Sequence, residues 1–230
     1  MIMEEKTMSK RNTLFGTIAA LASGVAATGP AHADEADRFY ASANIGAGSL
    51  SSATLTFSDG VNTSTANGKY EASFAGGGAI GYRFDNGWTL EGELMYRRNE
   101  LDPVSLGALG DFDGGDFASL GLGVNALYRF NIGSSGKLQG YAGPGIVYFQ
   151  EIDIDFDNGD QQEISFESDD TAWQFKLGGR YDFSERWFVD AAATYLMASG
   201  VRMELPADPA QTIESDYDHL TLSFGVGWRF

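Results

Sequence analysis

Three sets of residues in this chain have the types and spacing to do chemistry. Arg83, Arg97, Arg129, Lys176, Arg180 and Arg229 recur with Glu71, Glu91, Glu93, Asp182 and Asp190, always on the polar side of segments that alternate polar and apolar residues. Opposite charges sharing an interior no wider than their own side chains pair and fill it, whereas the same groups around a wider interior would line a polar pore. The filled arrangement is expected, with Glu91 and Glu93 meeting Lys176 and Arg180, and with Asp182 and Asp190 meeting Arg129 and Arg229. Second, Asp153, Asp155, Asp157 and Asp160 cluster as a hard cation such as Ca2+ or Mg2+ would require. The spacing is not that of an EF-hand, because Gly159 falls one place late and Ile164 stands where a bidentate Glu belongs. A loosely held cation therefore competes with a plain solvated acidic face, and no other cofactor is expected. Third, His219 lies two residues before Thr221 and near Asp216 and Asp218. A lone histidine of this kind is more often a polar contact than a catalyst.

The elements that would position these groups are strands. In residues 39–48 the odd positions Phe39, Ala41, Ala43, Ile45 and Ala47 oppose Tyr40, Ser42, Asn44, Gly46 and Gly48, the period of two that marks a strand with one greasy face. Segments 70–84 and 88–97 repeat the pattern around Asp85-Asn86-Gly87, whose Asn-Gly pair tolerates the positive φ of a tight hairpin. Segments 117–130, 138–150, 172–183, 187–197 and 216–230 do the same, although Pro144 cannot donate a ladder hydrogen bond within its strand. Short turns at 85–87, 131–137 and 184–186 alternate with long polar segments at 49–69, 99–116, 151–170 and 198–215. The expected fold is all-β, an eight-stranded antiparallel up-and-down barrel with its short turns at one end. Closure demands that the last strand pair with residues 39–48. Within the third long segment, residues 151–166 read as a hairpin that carries two strands beyond the barrel.

Composition narrows the function classes. A formal charge of −17 disfavours nucleic-acid binding, and the absence of cysteine excludes disulfides, thiolate metal sites and cysteine nucleophiles. Residues 1–33 read as a secretory signal peptide: Lys10 and Arg11 precede an apolar run from Leu14 to Ala27, and Ala31-His32-Ala33 offers small residues for cleavage before Asp34. Residues 34–230 then form one barrel domain.

Whether the greasy faces meet a protein core or hydrocarbon is decided by the opposite faces. A soluble barrel would present Lys and Glu outward on every strand, but here the polar faces are mostly Gly, Ser, Thr and Asn, as a cramped interior requires. Counted with Glu71, the interior charges nearly cancel, and the acidic excess belongs to the long segments. Phe84, Trp88, Phe130, Phe183, Trp187, Trp228 and Phe230 gather at the short-turn end, as an interfacial aromatic girdle would. Tilted, closed strands of about ten residues satisfy their backbone groups in lipid, so a transmembrane barrel is expected.

Phe39-Tyr40-Ala41-Ser42-Ala43-Asn44-Ile45-Gly46, Leu90-Glu91-Gly92-Glu93-Leu94-Met95-Tyr96 and the terminal Val226-Gly227-Trp228-Arg229-Phe230 resemble the OmpA-type and opacity-type small outer-membrane barrels of Gram-negative bacteria. The resemblance covers nearly all of residues 39–230. It implies an outer-membrane location, contact with outer-membrane lipid and lipopolysaccharide, and a non-enzymatic structural or surface-interaction role, with host or other surface ligands met through the acidic loops. It also implies that Trp228 and Phe230 form the signal read by the barrel-assembly machinery. The cell-wall-binding domain of larger members has no counterpart after Phe230, so that function is not expected. A narrow porin-like channel is the second expectation and a lipid-modifying enzyme the third. The lipid A deacylases, also small barrels, use a His-x-Ser pair, where this chain has His219-Leu220-Thr221.

Overall fold

Every alternating segment folds as strand in the computed structural model, which describes residues 38–107, 109–157 and 163–230. The strands are β1 (Phe39–Leu50), β2 (Ala53–Ser58), β3 (Thr63–Gly68), β4 (Ser73–Arg83), β5 (Trp88–Leu101), β6 (Val104–Ser105), β7 (Asp111–Phe112), β8 (Gly114–Asn131), β9 (Leu138–Asp157), β10 (Glu163–Asp182), β11 (Trp187–Leu205) and β12 (Asp208–Arg229). Eight of them close a ring in the order β1-β4-β5-β8-β9-β10-β11-β12. The closing β1–β12 pair is antiparallel and runs from Tyr40 opposite Arg229 to Leu50 opposite His219. No helix long and apolar enough to cross a membrane occurs among the described residues, which leaves strand crossing open.

The ring has two storeys. Near the short turns the outward face is apolar and exposed, with Ile45, Ile80, Val124, Trp173, Phe175, Leu177, Leu222 and Phe224 among its members. Phe84, Trp88, Phe130, Phe183 and Trp187 ring its lower rim, each more than two-fifths exposed. Pro144 faces outward in this band, and the β8–β9 register is interrupted opposite Ala126 and Leu127, where the proline can offer no N–H.

Above the band the strands run on: residues 151–157 and 163–166 pair as the hairpin extension read from the sequence, and the other long segments, expected as polar loops, are also largely sheet. β9 and β10 extend to Asp157 and from Glu163, β11 to Leu205, and β12 from Asp208. The β2–β3 hairpin joins the edge of β12 and stands over β1 and β4, which stop lower down. Two bulges exchange the faces of the continuing strands. Gln150 is the extra residue where Gly121 and Leu120 pair with Phe149 and Glu151. Ser199 and Gly200 form the other, between Ala198 opposite Tyr217 and Val201 opposite Ser215. Gly200 adopts φ +65°, a left-handed conformation that glycine accommodates without strain, and its N–H donates to Asp216 Oδ1 at 2.8 Å. Beyond these bulges Ile152, Ile154, Phe156, Val201 and Met203 turn inward, and Asp153, Arg202 and Glu204 turn outward. The upper interior is therefore an apolar core that also takes in Leu55, Phe57, Phe149, Phe166, Ile213 and Tyr217.

Candidate functional site in the barrel lumen

Because successive side chains alternate, β5, β8 and β9 turn their odd residues inward and β10 and β11 their even ones, and the polar residues of the lower storey stack in layers. At the short-turn end Arg229 pairs with Asp182, Arg83 Nη2 donates to Gln139 Oε1 at 3.4 Å, and Arg129 donates to Thr89 Oγ1 at 2.8 Å and to the Phe84 carbonyl at 3.0 Å. One layer deeper, Arg180 pairs with Asp190 at 3.2 Å, and the Tyr141 hydroxyl donates to the same carboxylate at 2.8 Å. The Arg180 guanidinium lies 3.9 Å from the Phe188 ring centre and 4.3 Å from that of Tyr40, so aromatic faces replace part of its hydration.

The next layer is buried. Lys176 Nζ donates to Glu91 at 2.7 Å and to Glu93 at 2.8 Å. The Tyr40 hydroxyl donates to Glu91 at 2.5 Å, and the Gln174 amide donates to Glu93 at 2.5 Å and to Asn125 Oδ1 at 2.6 Å. Higher still, Arg97 Nε donates to Thr221 at 3.4 Å, and His219 joins Thr221 through Nδ1 and Ser73 Oγ through Nε2, each at 3.0 Å. The hydroxyls of Ser119 and Tyr217 meet at 3.0 Å as the last polar contact below the apolar core. The lumen is thus filled twice over, by a hydrogen-bonded lattice below and by hydrocarbon above.

Several placements differ from those read in the sequence. Glu91 and Glu93 share Lys176 and Arg229 goes to Asp182, whereas Arg180, read as a partner of the two glutamates, goes to Asp190. Arg129 donates to a threonine and a carbonyl in place of the expected carboxylates, because Thr89 and Phe84 are its neighbours across the short turn. Glu71 is exposed and precedes β4, so it does not offset interior cations. Tyr40, Ser73, Asn125, Tyr141 and Gln174 complete the lattice, although nothing in their residue types marks them as members. Their signal is position alone, since each occupies the inward register of its strand.

The acidic set is also rearranged. Asp153 and Asp155 lie on the outer face of β9 above the apolar band, and their third neighbour is Asp116 of β8, which pairs with Asp155 across the sheet. One carboxylate oxygen from each of Asp116, Asp153 and Asp155 lies within 4.8 Å of the others. Those three could hold a cation, but Arg98 Nη2 already sits 2.7 Å from Asp116. Asp157 is exposed and outside this trio, and Asp160 falls outside the described residues. Burial, reinforced by Asp155, Glu151, Asp116 and Glu167, pushes the Asp153 carboxyl up to about 8. Trp228 stacks on Phe230 with ring centres 5.2 Å apart, and Phe230 on Phe39 at 6.2 Å, so the terminal aromatics lie at the closing seam.

A solved structure shares this architecture. The outer-membrane protein OprG from Pseudomonas aeruginosa superposes with a TM-score of 0.66 at 18% identity, over 85% of this chain and 97% of that one. Neisserial surface protein A gives 0.49 at 17% identity, over 84% and 97%. The outer-membrane protease OmpT from Escherichia coli gives 0.45 at 11% identity, over 85% and 97%. No curated protein sequence matches the chain. The model of the outer membrane protein beta-barrel domain matches residues 17–230, nearly the whole sequence and every strand of the ring, and the chain belongs to that family.

Proposed function

We propose that this outer-membrane barrel is a non-conducting anchor that holds a rigid β-structured surface outside the cell for envelope stability or for contact with other molecules. The short turns face the periplasm, and the upper storey with its acidic outer face stands in the medium. The observation that carries the reading is the double filling of the lumen. A solute would have to break the Lys176 layer, where the ammonium and both carboxylates are buried, and then part the core around Phe149, Phe156 and Tyr217. Outer-membrane lipid and lipopolysaccharide contact the exposed apolar band, and host or other surface ligands meet the extension. Residues 1–33 direct export and are removed, and Trp228 and Phe230 are read by the barrel-assembly machinery. A loosely bound Ca2+ or Mg2+ at Asp116, Asp153 and Asp155 belongs to the same reading. Catalysis is not part of it: His219 is fully buried, as is its neighbour Thr221, and its ring nitrogens are engaged by the hydroxyls of Thr221 and Ser73. The runner-up is a narrow porin-like channel, and a lipid-modifying enzyme comes third.

Planar-bilayer recording on the pure protein tests the reading. Only rare, brief current events are expected, and long-lived openings in most insertions would replace it with the channel. A deletion strain separates the roles in the cell: detergent sensitivity or lost adhesion goes with the anchor, and selective loss of solute uptake goes with the channel.

A further inference from the structure

Among the described residues the lumen carries more cations than carboxylates, and the surplus is confined to one place. Six cationic side chains point inward, Arg83, Arg97, Arg129, Lys176, Arg180 and Arg229, against Glu91, Glu93, Asp182 and Asp190. In the deep layers Lys176 and Arg97 match Glu91 and Glu93 in number, with Lys176 bound to both carboxylates and Arg97 donating to Thr221. At the periplasmic mouth, four guanidiniums, Arg83, Arg129, Arg180 and Arg229, face only the carboxylates of Asp182 and Asp190, so two positive charges are left over. Arg83 meets Gln139, which lines one cavity with Arg129 and Arg180, and Arg180 and Arg229 both lie over the Phe188 ring, 3.9 and 5.3 Å from its centre. The turn carboxylates stay out of the lumen, since Asp85 is held by Arg38 at 2.9 Å and Glu185 is exposed.

The mouth also has unused hydrogen-bonding capacity. Arg229 is 5% exposed, and its Nε is buried with no partner among the described residues. Arg83 reaches Gln139 only through a long contact of 3.4 Å. A cavity of about 10 Å³, the size of one water, opens between Arg129, Arg180, Gln139 and Tyr141. Guanidiniums that are not tied to carboxylates and stand at the edge of a low-dielectric interior form charge-assisted, forked hydrogen bonds to oxyanions.

We propose that the periplasmic mouth of the lumen is a binding site for a small oxyanion, a phosphate or carboxylate group, held by Arg83 and Arg129 with Arg229 behind them. The cavity behind these groups holds no more than one water, so the oxyanion sits at the mouth, outside it, and a bulky ligand presents only its anionic end. The site rests on the filled lumen described above but not on any role of the extracellular surface. In the cell the group could come from free phosphate or from the headgroup of an anionic lipid in the inner leaflet.

The test is a titration of the full-length mature barrel, folded in zwitterionic micelles, with inorganic phosphate at constant ionic strength, read from the arginine Nε–H resonances. Saturable shifts of Arg83, Arg129 and Arg229 are expected, with Arg97 unmoved. The Arg83→Gln/Arg129→Gln double variant should weaken the apparent affinity at least tenfold, and Lys137→Gln/Arg186→Gln, which alters only the turns, should leave it unchanged. A parallel arm replaces phosphate with nanodiscs with or without phosphatidylglycerol; shifts in the same three arginines only with the anionic lipid would assign the site to a headgroup. Linear, unsaturable shifts in both arms, or shifts centred on Lys137 and Arg186, would overturn the proposal. Should the double variant fail to fold, as circular dichroism and heat-modifiable gel migration would reveal, the wild-type titration still separates these outcomes.

Discussion

Replacing Lys176 by methionine keeps the length of the side chain and removes the charge that holds two buried carboxylates together. Glu91 and Glu93 each meet the ammonium, at 2.7 and 2.8 Å, and all three side chains are at most 7% exposed. Without it, two like charges about 5 Å apart repel by about 3 kcal/mol at an effective dielectric constant of ~20. Removing one partner from a buried ion pair costs about 3–5 kcal/mol in general, so Lys176→Met is expected to destabilise the barrel by that amount. The Tyr40 and Gln174 hydrogen bonds to Glu91 and Glu93 remain and keep the loss from growing further. The double variant Lys176→Met/Glu91→Gln removes one charge of each sign, leaves Arg97 to offset Glu93, and should recover most of the stability, because buried polar isosteres cost far less than uncompensated charge. Urea unfolding in phospholipid vesicles, followed by tryptophan fluorescence, measures both. A loss below about 1 kcal/mol for the single variant, or a double variant no more stable than it, would refute the argument that this layer is a dry electrostatic seal.

The outer acidic trio makes the upper storey sensitive to pH. Asp153 binds its proton up to about pH 8 in the folded hairpin but only to about pH 4 when unfolded, so stability is lost as pH rises through that window and levels off above it. Hydrogen exchange of β9 and β10 amides at pH 5 and 8.5, corrected for intrinsic rates, should reveal local opening easier by roughly 2 kcal/mol at the higher pH, discounted for the half-buried position, and Asp153→Asn should abolish the difference. Phe156→Ala empties a fully buried position in the apolar core and should cost about 3–5 kcal/mol locally, raising exchange in the upper storey while the ring strands near the short turns stay protected. Deleting Phe230 removes its stacking on Trp228 and Phe39 and should slow assembly in cells severalfold, with little change in the stability of barrel that has already folded, as pulse-chase and urea titration would separate.

The ring was legible in the sequence because lipid-facing and lumen-facing residues alternate without interruption across the apolar band, from Phe39 to Phe230. What alternation cannot carry is a change of phase. One extra residue at Gln150 and the glycine bulge at Gly200 reverse the two faces, and neither leaves a mark on composition. The segments at 49–69, 99–116 and 198–215 therefore looked like polar loops, although Val201 and Met203 already alternate as core strands do, whereas the alternation of residues 151–157 marked 151–166 as a hairpin. The interior charges were recognisable from their register, but their pairing was not, since the level at which two side chains meet depends on the stagger of strands distant in sequence. Asp116 shows the same limit: it reaches Asp155 only through the β8–β9 pairing, across nearly forty residues.

The bulges also divide the protein by solvent. Below them β9 and β11 turn hydrocarbon outward to lipid, and above them the same strands bury it from water. Only the upper part is held by the hydrophobic effect in its aqueous form, which weakens on cooling and carries a large heat capacity of unfolding. Chilling should therefore loosen the core around Ile154, Phe156 and Phe166 first, while the lower ring stays closed. A single continuous strand would then have one end that softens in the cold and another that does not.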